Sequence, residues 1–141
     1  MGGAATPISW GELYTALQQG VVDGAENNPP SLYLSRQYEV SKYYSLEQHT
    51  YVPDILLMSL HIWENLNQQQ QEWLQQAVDD STAYQGRLWQ QASDEALAAI
   101  EASGVEIIRP DKEPFMAAVV EMKAEYEGTA VGDLLDAIAA Q

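Results

Sequence analysis

Residues 68–103 contain no proline and a single glycine, Gly86. Small or apolar residues recur through this stretch at Leu74, Ala77, Val78, Ser81, Tyr84, Leu88, Ala92, Ala96, Ala99 and Ile100. That spacing marks one face of a helix, with glutamines and carboxylates on the other. Asn67 is placed to cap its start and Gly104 to end it. About 35 residues at ~1.5 Å each span roughly 50 Å, longer than a domain of this size is wide. A helix of that length bridges two lobes or pairs with another chain. The run of four glutamines at 68–71 is a local bias on an exposed face, and no internal repeat is found.

The flanking segments alternate helix and strand. Ser9 followed by Glu12 has capping-box spacing; Leu13, Ala16 and Leu17 form an apolar stripe, and Gly20 is placed to stop that helix. Val21-Val22-Asp23-Gly24 reads as a short strand entering a turn. Asn27-Asn28-Pro29-Pro30 is a breaker cluster in which Pro30 can open the next helix, through Leu32, Tyr33 and Leu34. Residues 52–59, Val-Pro-Asp-Ile-Leu-Leu-Met-Ser, predict a buried strand with Pro53 near its start. A short helix is expected around Ile62-Trp63-Glu64. Beyond Gly104, Val105-Glu106-Ile107-Ile108 predicts a strand broken by Pro110, followed by amphipathic helices over 112–127 and 131–140.

Charge removes several function classes. The chain has 6 Lys+Arg against 21 Asp+Glu, a net charge of −15. Such a surface repels phosphate backbones and anionic membranes alike, which argues against nucleic-acid partners. There is no cysteine, so neither a disulfide nor a thiolate metal site can form. No apolar run approaches the ~20 residues that a membrane span needs. The first residues lack the basic and apolar regions of a signal peptide.

Candidate chemistry is sparse. His49 and His61 lack a second histidine at helical spacing, which leaves zinc-type ligation unsupported. Asp23 and Glu26 could form a carboxylate pair for acid–base work, but a turn rich in Asp, Gly and Asn uses such residues for its own backbone. Asp79-Asp80 and Asp94-Glu95 read as a solvated helix face. Trp63, Trp73 and Trp89 read as core or lobe-packing residues. No nucleophile motif, glycine-rich phosphate loop or dinucleotide fingerprint is present, so no catalytic residue, cofactor or metal is assigned.

One stretch carries more information. Trp10-Gly11-Glu12-Leu13-Tyr14-Thr15-Ala16-Leu17-Gln18, followed by Val22-Asp23-Gly24-Ala25-Glu26-Asn27, resembles the signature region of TRAP-type (tripartite ATP-independent periplasmic) solute-binding proteins, the DctP family. The family pattern is an aromatic at a helix start, then E-x-Y-x-A-L-Q, then V-D-G-x-E-N. Tyr38-Glu39-Val40-Ser41-Lys42-Tyr43-Tyr44 is similar to the next family segment, and the long helix has a counterpart that crosses both lobes. The resemblance implies a helix-rich α/β fold, part of a two-lobed, type II-like periplasmic binding protein. By that reading residues 1–48 are a ligand-lobe segment, and 49–66 an interlobe strand and short helix. Residues 67–104 are the spanning helix, and 105–141 a strand with the terminal helices.

The resemblance also implies the function: a periplasmic, non-enzymatic receptor that captures a small organic acid and delivers it to a TRAP membrane permease. Two site residues carry over, Asn27 as a hydrogen-bond donor to the substrate carboxylate and Trp10 as the aromatic packed against the substrate. Without the resemblance, Asn27 reads as a turn residue and Trp10 as a core anchor. The arginine that forms the family's main carboxylate clamp has no counterpart before Thr6. Arg36, Arg87 and Arg109 lie in segments that do not match its motif. The chain is therefore expected to be the C-terminal portion of such a receptor, starting on interior family sequence and binding weakly. The rival expectations are a self-associating helical module, dimeric or swapped, and a hydrolase built on the scattered carboxylates.

Overall fold

The computed structural model describes residues 3–140, and it divides into two units. The larger comprises Pro7–Tyr44 and Gln48–Ile107. Its first helix, α1 (Trp10–Gln18), starts at Ser9, although no side-chain cap bond forms there. Gly20 stops α1 with φ of 69°, a conformation that costs glycine little. Helix α2 (Pro29–Leu34) opens with two prolines behind Asn28, whose side chain accepts a hydrogen bond from the Ser31 amide at 2.9 Å. A 3-10 turn, Gln37–Glu39, follows at once, entered through Arg36 at φ 61°.

Helix α3 (Leu60–Glu64) precedes α4 (Gln68–Ala102), the helix that the proline-free stretch predicts. Asn67 and Gln70 form a reciprocal capping box at the start of α4. The Gln71 side chain reaches back to the Trp63 carbonyl at 2.8 Å and ties α3 to it. Along the solvated face, glutamines donate to carboxylates one turn later: Gln68 to Glu72, Gln75 to Asp79, Gln76 to Asp80, Gln90 to Asp94 and Gln91 to Glu95, all at 2.7–3.0 Å. Each such pair contributes about 0.2–0.5 kcal/mol. Gly104 ends the helix with φ of 95°.

Strands β1 (Tyr43–Ser45) and β2 (Glu106–Ile108) form a two-stranded sheet. The Glu106 amide donates to the Lys42 carbonyl at 3.0 Å and the Leu46 amide to that of Ile108 at 2.8 Å. Both numbers rise together, so the strands run parallel. The core beside them is small: Leu32, Ile100 and Val105, with Tyr38, Tyr44 and Ile107 packed around. It locks α2 onto the last turns of α4. The smaller unit holds Ser45–Glu47 and the chain from Ile108 onward, with helices α5 (Glu113–Ala118), α6 (Val120–Ala124) and α7 (Ala130–Ala139). The single helix expected over 112–127 is thus broken at Val119.

Three expectations need correction. Residues 52–59 form no strand; their backbone is irregular and every side chain is exposed, Leu57 to 82%. An apolar strand of this kind is stabilised by neighbours on both sides, and among the described residues none pairs with it. Residues 21–24 form a turn and not a strand. The apolar stripe of α4 is fully buried only at its end, at Ala96 and Ile100, and half-buried at Val78; Leu74, Tyr84 and Leu88 remain exposed, as do Trp73 and Trp89. The folded chain exposes 11560 Å², against about 7,300 Å² for a compact monomer of 15.7 kDa.

This distribution predicts where stability resides. Ile100, fully buried, should lose about 2–5 kcal/mol on substitution to Ala. Leu88→Ala, on the exposed part of the same helix, should stay within about 0.5 kcal/mol. Urea unfolding followed by far-UV circular dichroism reads both. Equal losses would mean that the α4 stripe is packed along its whole length.

Candidate functional site

A cavity of about 230 Å³ lies within the larger unit, between the turn that follows α1 and the segment entering β1. Asp23, Gly24, Ala25 and Asn27 line it from the turn, Leu17 from α1, Leu32 from α2, and Gln37 from the 3-10 turn. Val40, Ser41, Lys42, Tyr43 and Tyr44 complete the wall. Among these, Lys42 is the one cation and Asp23 the one anion.

Local chemistry holds the turn rigid. The Val21 amide donates to the Ala16 carbonyl at 2.9 Å, folding the chain back on α1. The Asn27 side-chain oxygen accepts from the Asn28 amide at 3.0 Å, and the Tyr44 hydroxyl donates to the Asn27 carbonyl at 2.8 Å. Tyr44 belongs to the core cluster, and Asn28 caps α2. The Asn27 carbonyl is thus held by Tyr44 and its side-chain oxygen by the Asn28 amide, both on elements that pack at the Leu32–Ile100 contact. Beneath them, Gln37 is only 2% exposed, the buried polar residue among the described ones. The left-handed Arg36 turns the chain so that Gln37 enters the interior, and the Arg36 guanidinium bonds Glu39 at 2.8 Å.

Of the two site residues expected from sequence, Asn27 stands in the cavity wall and Trp10 does not. Trp10 sits at the start of α1 with 56% of its surface exposed, which removes the reading of it as a core anchor. Asp23 lines the cavity while Glu26 does not, so the two carboxylates are not brought to a common surface of it. Gln37, Ser41 and Lys42 were not singled out from sequence. Glutamine and lysine are mostly exposed residues, and nothing in their spacing marks them as cavity-lining.

Tyr14, on α1, donates from its hydroxyl to the Glu39 carboxylate at 3.1 Å. Its phenol is held above the ordinary value of 10.0, first by desolvation and then by this hydrogen bond. Glu39 also holds the Arg36 guanidinium above its ordinary value, chiefly through their hydrogen bond. A raised phenol favours the neutral form on folding. The Tyr14–Glu39 contact is therefore fully present below the ordinary tyrosine range and is lost as pH rises through the raised value. Ultraviolet titration of tyrosinate should show a step above the ordinary tyrosine range, and Tyr14→Phe should remove it. A late step that persists in the variant would assign it elsewhere.

The model of the bacterial extracellular solute-binding protein family 7, DctP, matches residues 1–129. The chain belongs to this family, and the resemblance carried by residues 10–27 is thereby confirmed. It is 40% identical over 118 residues to a solute-binding protein of Chromohalobacter salexigens, covering 83% of this chain and 35% of that protein. Among solved structures, a TRAP periplasmic solute-binding protein of Xanthobacter autotrophicus Py2 with bound β-D-galacturonate superposes with a TM-score of 0.84 at 35% identity; the match covers 99% of this chain and 47% of that one. A second, from Sulfitobacter sp. NAS-14.1, also with β-D-galacturonate, matches with a TM-score of 0.78 at 42% identity over 89% of this chain and 42% of that one. The chain thus spans between about a third and a half of these relatives. They are periplasmic binding proteins and not enzymes, and no helix among the described residues is long and apolar enough to cross a membrane.

Proposed function

We propose that this chain is the C-terminal portion of an extracytoplasmic receptor that binds a small organic acid of the uronate class and delivers it to a TRAP membrane permease. The observation that carries the reading is the Asn27 turn. An amide whose backbone carbonyl is held by Tyr44 and whose side-chain oxygen is held by the Asn28 amide, at the wall of a cavity, presents hydrogen-bond donors without adding a charge. With the oxygen engaged by the Asn28 amide, the two N–H donors of Nδ2 are the part available to a carboxylate. Such rigidity lowers the ordering cost of binding. The exposed Trp10 indole is suited to cover the apolar face of a sugar ring, as aromatic faces do; the ligand would meet it outside the cavity wall. Galacturonate bound to two relatives supplies the ligand class.

The charge balance fits a receptor that recognises its ligand locally. A surface at −15 repels anions at long range, so capture depends on the few donors at the site. Titration of the chain with D-galacturonate, followed by amide chemical shifts, should perturb residues 22–28 and 40–44. Asn27→Ala should weaken that binding by about 1.5–3 kcal/mol, the worth of a hydrogen bond to a charged group. Unchanged affinity in Asn27→Ala would remove Asn27 from the site.

A second reading concerns the chain on its own and is favoured by its excess exposed surface. Trp73, Leu74, Tyr84, Leu88 and Trp89 are exposed on α4, and a second copy laid against that helix would cover them. Light scattering should then report a dimer whose fraction rises with concentration. A monomer at high concentration would dismiss it.

A further inference from the structure

Resting on the receptor reading above, we infer that Gln37 and Lys42 divide the recognition of the ligand between them, with the Gln37 amide reading hydroxyl groups and the Lys42 ammonium reading charge. Gln37 is 2% exposed, and the cavity is a space that it lines. An amide carries two donors and two acceptor lone pairs, and burying such a group is costly unless its bonds are made. Among the described residues no side-chain nitrogen or oxygen is both sealed from solvent and unpartnered. Gln37 lines the cavity, whose volume of about 230 Å³ is roomy enough for several waters or for part of a small acid.

The chemistry of the wall selects the kind of acid. A hydroxyl both donates and accepts, and an amide matches it on both counts. A carboxylate only accepts, and is served by Lys42 and by the Asn27 donors. Ser41 adds one more group of the hydroxyl-matching kind, and the Tyr44 hydroxyl is held by the Asn27 carbonyl. Asp23, the one anion in the wall, disfavours a second carboxylate there and accepts from hydroxyls. A polyhydroxylated monoacid satisfies this set better than a plain dicarboxylate of the same length. A site whose polar groups are left unpaired by the wrong ligand discriminates strongly.

The test compares D-galacturonate with adipate, a six-carbon diacid without hydroxyls, on the 141-residue chain by isothermal titration or amide shifts. The parent should prefer galacturonate by at least about tenfold, the worth of one or two neutral hydrogen bonds. Gln37→Met keeps the volume and removes the amide, and should bring that ratio near one chiefly by weakening galacturonate. Lys42→Gln should weaken both acids by similar factors and leave the ratio standing. Circular dichroism at 222 nm checks that each variant is folded. Should Gln37→Met fail to fold, the parent's ratio for galacturonate over its 4-deoxy analogue carries the test from the ligand side. Equal affinity of the parent for galacturonate and adipate would overturn the inference while leaving the receptor intact. So would a ratio that survives Gln37→Met. Binding of neither acid by the 141-residue chain would overturn this inference, which assigns recognition to this unit, while the receptor reading, which rests on the family match, would stand.

Discussion

The turn at Asn27 and the cavity wall in the larger unit hang from the contact of Leu32 with Ile100 and Val105. Through it, a six-residue helix too short to persist alone is fastened to the last turns of a 35-residue one. Two consequences follow from that one seam. Asn28, capping the short helix, fixes the residue before it, and Tyr44, packed against the same cluster, holds the Asn27 carbonyl from the other side. The Asn27 turn thus draws its rigidity from apolar packing a few residues away and needs no rigid sequence of its own.

The seam also explains how the chain combines polar and apolar chemistry in a small space. Gln37 enters the interior because the chain turns at Arg36, and Arg36 adopts its left-handed conformation while its guanidinium is engaged by Glu39. Glu39 is in turn bound by Tyr14 from α1. Surface ion pairs of this kind contribute little stability. They lie on the same short stretch as the turn that brings Gln37 into the interior.

How much of this was legible in the sequence follows from which interactions are local. The long helix is written in its caps, its lack of proline and its glutamine–carboxylate spacing, all of which act within one turn. Gly20 and Gly104 mark helix ends because the left-handed region belongs chiefly to glycine. The family was readable from residues 10–27 because that stretch resembles a family pattern; by its own chemistry Asn27 reads as a turn residue. Residues 52–59 misled for the opposite reason. A strand is a relation between segments, and Val, Ile and Leu signal a preference for pairing without supplying the pair. Gln37 was illegible because its burial is decided by the turn at Arg36, and nothing in its own neighbourhood distinguishes it from an exposed glutamine.

The same distinction bears on the apolar surface that stays in solvent. Residues 52–59 and the first five turns of α4 have sequences suited to burial and find no cover among the described residues. A surface area well above that of a compact 15.7 kDa monomer is the sum of such places. The relatives that superpose on nearly all of this chain are more than twice its length. Elements whose pattern asks for neighbours are therefore the elements from which a larger fold would be continued. The cavity stands apart from that deficit: its lining is drawn from residues 17–44 alone. On the proposed reading, a ligand's hydroxyls and one carboxylate meet Gln37, Lys42 and Asn27 within this unit.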